Sequence, residues 1–165
     1  MTRRAADRPP RVLAVASTGG HWIQLSRLMP AFAGCEVHWL TTAADQEPGL
    51  RARARALGQE VAGFHLCTDA NRNEKWRLLK MMTEILGILL KLRPDVVIST
   101  GAAPGYAALR LGRLVGARTC WIDSIANAEE LSLSGRLAGP HADLFLTQWP
   151  EVARPGGPYF RGAVL

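Results

Sequence analysis

The sequence has few cysteines, few lysines and no long hydrophobic run, and each shortage excludes a class of protein. Its 3 cysteines are widely separated and form neither a disulfide framework nor a zinc-ligand pattern, so we expect a reducing compartment and no metal. No stretch reaches the roughly 18 unbroken apolar residues of a spanning helix. VLAVA, near the N-terminus, ends too early for a signal peptide, and the sequence therefore predicts a cytoplasmic protein.

Lysine is scarce, and the net charge of +6 comes mainly from arginine. A basic chain is compatible with an anionic partner, but no motif that reads DNA or RNA is present, so we predict no nucleic-acid partner. The hydrophobic share of 48% and the charged share of 21% suit one soluble domain with an ordinary core. We expect a disordered basic arm over residues 1–10 and a single domain over residues 11–165.

Short apolar runs alternate with helix-period segments along the chain. Strands are predicted over 12–16, 37–40, 61–66, 96–99, 119–122 and 144–146, and helices over 21–32, 46–57, 75–93, 103–115 and 132–138. Most of the strands are apolar on both faces, which is typical of parallel strands covered by helices. The pattern predicts an α/β fold with a Rossmann-like, doubly wound parallel sheet, in which ligands bind outside the carboxyl edge.

A glycine-rich turn follows the first predicted strand and opens the first helix. Ser17, Thr18, Gly19 and Gly20 place free backbone N–H groups at the positive end of a helix dipole, which suits a phosphate. The turn lacks the GxxxxGK and GxGxxG spacings of nucleotide loops, so a plain tight turn remains the alternative. His21, in the first helical turn, is a candidate proton acceptor, and a capping or surface histidine is the alternative.

Two further loops are predicted at the carboxyl edge of the sheet. STGAAPGYAAL repeats the order of strand, glycine turn and helix, so Gly101 is a candidate for a second anion contact or serves helix geometry alone. The loop after TCWI carries Asp123, Ser124 and Asn127, which are candidates for sugar binding or for orienting an imidazole. Helix capping and turn formation are the alternative roles of these three residues. We expect all the loops to converge on one cleft.

The predicted helix over 75–93 is the most hydrophobic of the chain. On a helical projection Arg77, Lys80 and Lys91 share one stripe, and Met81 and Ile88 lie beside it. The apolar arc is wider than one sheet contact requires, so these five residues form a candidate contact with an anionic membrane surface. Ordinary packing of a buried helix is the alternative.

Five segments follow one another in a distinctive order: STGGH at 17–21, TDANRN at 68–73, RPDVVISTGAAPGYAALRLGRLVGA at 93–117, WIDS at 121–124 and ADLFLTQWPE at 142–151. In this order they resemble the membrane-associated subunit of split GT-B glycosyltransferases, the PssD/CpsF-type exopolysaccharide and capsule proteins. Eukaryotic members anchor the enzyme that adds the second N-acetylglucosamine to dolichol-diphosphate. The resemblance runs from about residue 11 to the C-terminus and implies the N-terminal, Rossmann-like half of a GT-B enzyme.

The resemblance also implies a function. A complex of two subunits would transfer a sugar of the N-acetylglucosamine, glucose or galactose class from a nucleotide-sugar to a polyprenyl-diphosphate-linked acceptor, at the inner face of the cell membrane. This chain would bind the acceptor and the membrane, and a small GT-B C-terminal-type partner would bind the donor, without a further cofactor. The membrane helix of the eukaryotic members has no counterpart here, so peripheral contact is expected.

The resemblance assigns roles to four of the candidate residues. Gly19 and Gly20 match the glycine pair beside the acceptor diphosphate, His21 the histidine that follows, and Gly101 the second glycine turn. Asp123 stands where a glutamate is expected in relatives, so its shorter side chain departs from the family pattern at a candidate catalytic position. Two other functions remain open, a non-catalytic membrane scaffold for the partner and a self-sufficient nucleotide-binding α/β enzyme.

Overall fold

The computed structural model describes residues 8–70 and 73–164. These contain a seven-stranded parallel sheet. Its strands are β1 Arg11–Ala16, β2 Glu36–Thr41, β3 Gly63–Leu66, β4 Val96–Gly101, β5 Arg118–Ile122, β6 Leu144–Thr147 and β7 Tyr159–Phe160. The α-helices are α1 Gly20–Arg27, α2 Gln46–Ala56, α3 Lys75–Leu92, α4 Ala102–Leu114 and α5 Leu133–Ala138. The predicted α/β class and parallel sheet are confirmed.

The strand order is β3-β2-β1-β4-β5-β6-β7, so the chain winds outward in both directions from the centre of the sheet. The direction of winding reverses between β1 and β4, which lie side by side. In an open parallel sheet this reversal leaves a crevice at the carboxyl edge, because the two connections leave the strands toward opposite sides. The turn before α1 and the start of α4 border this crevice.

Helices cover both faces of the sheet because side chains of β1 alternate between two cores. Leu13 and Val15 pack in the core beneath α3 and α4, whereas Ala14 and Ala16 pack in the core beneath α1 and α2. The second core contains Trp22, Trp39 and Phe32, whose rings meet edge to face. The small side chains of β1 on that face leave room for these large rings.

Three details differ from the prediction or extend it. Strand β7 has only two residues, too few for an apolar pattern to reveal, and it was missed. Helix α1 ends at Arg27, and a separate 3-10 turn spans Met29–Phe32 because Pro30 lacks the N–H that would continue the α-helix. Arg8, inside the predicted arm, pairs with Asp95 at 2.9 Å. Residues 1–7 of that arm, and residues 71–72 of TDANRN, lie outside the described residues.

The cysteines pack as small apolar side chains in the structure. Cys35, Cys67 and Cys120 are all unpaired. Burial raises the pKa of the Cys67 thiol and the pKa of the Cys120 thiol to about 12, so both remain protonated at neutral pH. Within residues 8–70 and 73–164, no group of His, Cys, Asp and Glu side chains is placed to hold a metal ion.

Candidate functional site

His21 connects the glycine turn before α1 to the glycine turn at the end of β4, and both turns border the crevice. Its Nδ1 lies 2.9 Å from the carbonyl oxygen of Thr100, and the Thr100 hydroxyl donates to the carbonyl oxygen of His21 at 2.7 Å. A carbonyl oxygen can only accept, so Nδ1 carries the proton of the neutral ring and the lone pair is on Nε2. Among the described residues Nε2 forms no hydrogen bond. The ring is therefore fixed in the tautomer that a proton acceptor needs.

A local irregularity of β4 makes this contact available. Ser99 pairs with Val15 of β1, but Gly101 pairs with Ala16, so Thr100 is an extra residue opposite a continuous partner strand. Such a bulge withdraws a residue from the regular ladder and redirects its polar groups. Thr100 is fully buried, and its carbonyl and hydroxyl groups both serve His21.

Gly101 accommodates the imidazole ring. A Cβ atom at this position would lie 2.3 Å from His21 Nδ1, and the backbone adopts a φ of 145°, which side chains rarely tolerate. The N–H of Gly101 donates to Ser99 Oγ at 3.1 Å, so it is not free for an anion. The diphosphate contact at this second glycine turn stays a prediction, and the Gly101 amide itself is engaged within the protein. Glycine is needed here to seat His21.

The first turn of α1 remains open. Gly19 has a φ of 71°, in the left-handed region, and no side chain caps the helix that follows it. The Ser17 hydroxyl points back to the Thr18 carbonyl instead, at 3.4 Å. Thr18, Gly19 and Gly20 are exposed. Among the described residues no side chain caps the N–H groups of this first turn, which lies beside His21, and the arrangement can bind an anion and accept a proton at adjacent points.

Asp123 does not face the crevice. It is 2% exposed, and its carboxylate accepts four hydrogen bonds. The donors are Trp121 Nε1 at 3.1 Å, Asn127 Nδ2 at 3.1 Å, Ser132 N at 3.0 Å and Ser132 Oγ at 2.6 Å. Two carboxylate oxygens offer about four acceptor sites, so none is left for a substrate. The predicted catalytic role of Asp123 is wrong, because the carboxylate holds the loop after β5 and the start of α5.

Ser124 and Asn127 are engaged within the same loop. Ser124 is buried, and its hydroxyl oxygen accepts from Gln24 Nε2 at 3.1 Å and from the Ala126 N–H at 3.3 Å. The predicted sugar or partner contact through Ser124 is wrong for this reason. Asn127 is half-buried and uses its amide to bind Asp123, so its contact with a sugar or partner stays a prediction.

Two buried glutamines were missed by the sequence analysis. Gln24 of α1 and Gln148 after β6 meet through their side-chain amides, and Gln148 also donates to the carbonyl oxygen of Asp123 at 2.9 Å. The signal in the sequence is a single amide residue within an apolar segment, in WIQL and in LTQWP. A polar side chain that is buried must find partners, so such a residue indicates a buried network.

The exposed face of α3 differs from the predicted membrane contact. Met81 is 0% exposed, so its predicted membrane contact is wrong, and Ile88 is half-buried against the same core. The exposed apolar residues are instead Trp76, Leu79 and Leu90. Arg77, Lys80 and Lys91 lie at the surface as predicted. No helix of the described residues has the length and apolar character required to cross a bilayer.

A second polar cluster lies at the edge of the sheet, away from the crevice. His38 Nδ1 is 3.1 Å from His65 Nε2, and His38 Nε2 is 3.1 Å from Glu36, which also pairs with Arg11. Burial, with the nearby charges of His38 and Lys91, lowers the pKa of His65. These bonds connect β1, β2 and β3, and the Arg11 guanidinium also donates to the Leu92 carbonyl at the end of α3, at 2.7 Å.

The family model and the similar sequences name the same protein family. The model of the family described as "Oligosaccharide biosynthesis protein Alg14 like" matches residues 12–158. The chain is 39% identical over 170 residues to the UDP-N-acetylglucosamine transferase subunit ALG14 of Eremothecium gossypii, covering 88% of this chain and 76% of the relative. The corresponding subunit of Mus musculus is 27% identical over 170 residues, covering 86% of this chain and 76% of its own length.

Solved structures share the fold at low sequence identity. MurG of Acinetobacter baumannii superposes with a TM-score of 0.74 at 16% identity, covering 95% of this chain and 46% of MurG. The UDP-GlcNAc 2-epimerase of Methanocaldococcus jannaschii gives a TM-score of 0.61 at 18% identity, covering 83% of this chain and 39% of the epimerase. This chain thus spans less than half the length of the structures that it matches.

Proposed function

Because the chain belongs to the family of Alg14-like oligosaccharide biosynthesis proteins, we propose that it is the acceptor-binding subunit of a two-component glycosyltransferase. The complex transfers a sugar of the N-acetylglucosamine class, or the related glucose or galactose class, from a nucleotide-sugar to a polyprenyl-diphosphate-linked acceptor. A small GT-B C-terminal-type subunit binds the donor, and no further cofactor takes part. The sequence motifs favour a role in polysaccharide biosynthesis of the PssD/CpsF type.

One observation carries this proposal: the open first turn of α1 lies beside a histidine held in the Nδ1-protonated tautomer. The diphosphate of the acceptor binds the N–H groups of Gly20 and His21 at the positive end of the helix dipole. The acceptor hydroxyl attacks the anomeric carbon of the donor sugar from the opposite side to the nucleotide, with inversion. As that bond forms, the hydroxyl proton moves to His21 Nε2 and the nucleotide diphosphate leaves.

The names of the relatives support the choice of sugar and the need for a partner. Both are named as subunits of a UDP-N-acetylglucosamine transferase. MurG, which has the same fold over this region, is more than twice as long as the matched part. In the proposed complex the crevice of this Rossmann-like unit binds the acceptor, and the partner binds the donor.

The decisive experiment is a transfer assay with purified components. The donor is radiolabelled UDP-N-acetylglucosamine, the acceptor is a short-chain polyprenyl-diphosphate N-acetylglucosamine, and the partner is a small GT-B C-terminal-type protein from the same genome. We expect transfer by the pair and none by either protein alone. Transfer by this chain alone would contradict the division into two half-sites.

The same preparation distinguishes the two alternative functions. A non-catalytic scaffold would keep full transfer when His21 is changed, since only partner binding would matter. A self-sufficient nucleotide-binding enzyme would bind UDP without the partner, and isothermal titration calorimetry of the isolated chain measures this directly. If our proposal is correct, the His21 variant loses transfer activity with the partner. The isolated chain does not bind UDP.

Peripheral membrane contact at the cytoplasmic face is proposed through α3. Trp76 is 82% exposed and lies with Leu79 and Leu90 on one side of the helix. The basic residues Arg77, Lys80 and Lys91 lie next to this apolar side. Tryptophan and leucine next to lysine and arginine suit the interface of an anionic bilayer, where rings and aliphatic groups enter and cations contact the headgroups.

Sedimentation with phosphatidylglycerol-containing vesicles tests this contact. Changing Trp76 and Leu79 together to alanine should lower the partition coefficient by about tenfold or more, because two apolar side chains no longer leave water. Lys80→Glu with Lys91→Glu should weaken binding chiefly at low salt. Leu57→Ala, an exposed leucine after α2 on the opposite face of the sheet, is the matched control and should bind normally. Equal binding of all variants would disprove the role of α3.

A further inference from the structure

Gln24 lies one helical turn after Gly20 and is 5% exposed. Its Nε2 donates to the carbonyl oxygen of Gly20 and to Ser124 Oγ, both at 3.1 Å. Its Oε1 accepts from the Ile125 N–H at 3.0 Å and from the side-chain amide of Gln148. A glutamine offers two donors and two acceptor sites, so every hydrogen-bonding site of this side chain is used.

Gln148 extends these contacts across the carboxyl edge. Its side chain is buried, its Nε2 binds both Gln24 and the carbonyl oxygen of Asp123, and its Oε1 accepts from the Val164 N–H at 2.8 Å. The two glutamines thus connect α1, the loop after β5, the end of β6 and the segment that follows β7. Two of these segments are loops, which would otherwise move independently of the helix.

The first turn of α1 needs support from outside the helix. The helix has only eight residues, it lacks a side-chain cap, and it begins with glycine after a left-handed glycine. Short helices with flexible, uncapped ends fray. The bond between His21 and Thr100 holds this turn on the β4 side. On the other side Gln24 binds the Gly20 carbonyl within the helix and also binds Ser124 and Ile125, which ties the turn to the loop after β5.

We infer that Gln24 is a positioning residue for the diphosphate-binding turn, and that Gln148 acts through it. By fixing the Gly20 carbonyl, Gln24 fixes the Gly20–His21 peptide plane, which carries the His21 N–H, so this donor is already aligned before the anion arrives. Pre-aligned donors lose less conformational freedom on binding, which strengthens it. This inference rests on the proposed function, because it assigns Gln24 to the same site.

Binding of inorganic pyrophosphate to the full chain, measured by isothermal titration calorimetry, tests the inference. Gln24→Met retains the length of the side chain and removes all its hydrogen bonds. We expect it to weaken pyrophosphate binding by about tenfold, the effect of disturbing one hydrogen bond to a charged group. In the transfer assay with the partner, KM for the acceptor should rise more than kcat falls.

Thr119→Val is the matched control. Thr119 is also buried, and its hydroxyl donates to the His141 carbonyl at 2.6 Å, but this contact lies at the start of β5, away from the crevice. The control should lower the melting temperature and leave pyrophosphate affinity unchanged. A general loss of stability would affect both variants alike, whereas positioning affects Gln24→Met alone.

A double-mutant cycle and amide hydrogen exchange complete the test. If Gln148 acts through Gln24, the combined change of both to methionine should weaken binding no more than Gln24→Met does. Should Gln24→Met not fold, Gln148→Met serves instead, with faster exchange expected at the Gly20 and His21 amides than in Thr119→Val. Unchanged affinity and exchange in the folded glutamine variants would overturn the inference. Absence of pyrophosphate binding by the wild-type chain would overturn the proposed function instead.

Discussion

Replacement of His21 by alanine is expected to lower the transfer rate of the two-component enzyme by about 10²–10⁴-fold, the usual contribution of one positioned base. The reason is the free lone pair on Nε2, which the bond from Nδ1 to the Thr100 carbonyl directs away from the protein backbone. Initial rates at saturating donor and acceptor measure the effect. Residual activity should remain, since the amides of α1 still bind the acceptor.

His21→Asn is the matched control for this prediction. The asparagine Nδ2 occupies a place similar to that of histidine Nδ1, so it retains a donor for the Thr100 carbonyl while it removes the basic nitrogen. We expect the same loss of rate as with alanine, but pyrophosphate binding close to that of the wild-type chain. Wild-type rates in both variants would exclude His21 as the proton acceptor and would favour the scaffold function.

Replacement of Asp123 by alanine should lower the free energy of unfolding by about 3 kcal/mol or more, because up to four buried donors lose their acceptor. The Ser132 hydroxyl, which caps α5 through the Gly135 N–H, would lose its own anchor. Urea unfolding followed by circular dichroism measures the change.

Asp45→Ala is the control for the Asp123 variant. Asp45 is exposed, it precedes α2, and its side chain does not cap that helix, so its removal should change the unfolding free energy by less than about 0.5 kcal/mol. An Asp123→Ala protein of normal stability that has lost transfer activity would contradict the structural role. It would restore the catalytic assignment that the sequence alone suggested.

The fold was predictable because its signals are local. Six strands were recognised from apolar runs, and Pro94 before β4 and Gly116 before β5 follow directly after helices end. The local sequence does not determine the direction in which a polar side chain points. WIDS places Asp123 at the carboxyl edge, but only the tertiary packing of Trp121, Asn127 and Ser132 turns its carboxylate inward.

Helix α3 illustrates the same limit for apolar residues. The sequence indicated more apolar surface than one contact requires, and the exposure of Trp76, Leu79 and Leu90 agrees with that expectation. It did not indicate which side of the helix faces the core, because apolar residues surround most of its circumference. Packing against the sheet and α4 buries the side of α3 that carries Met81 and Ile85. Which side becomes buried depends on residues that are distant in sequence.

The extra residue in β4 has a consequence for engineering and for variation among related chains. A strand shortened by removing Thr100 would have the residue count that regular pairing with β1 requires. The imidazole of His21 would then have lost the acceptor that selects its tautomer. If His21 is the proton acceptor that we propose, transfer at this crevice depends on one inserted residue in a buried strand, and a screen for folded protein alone would not detect its loss.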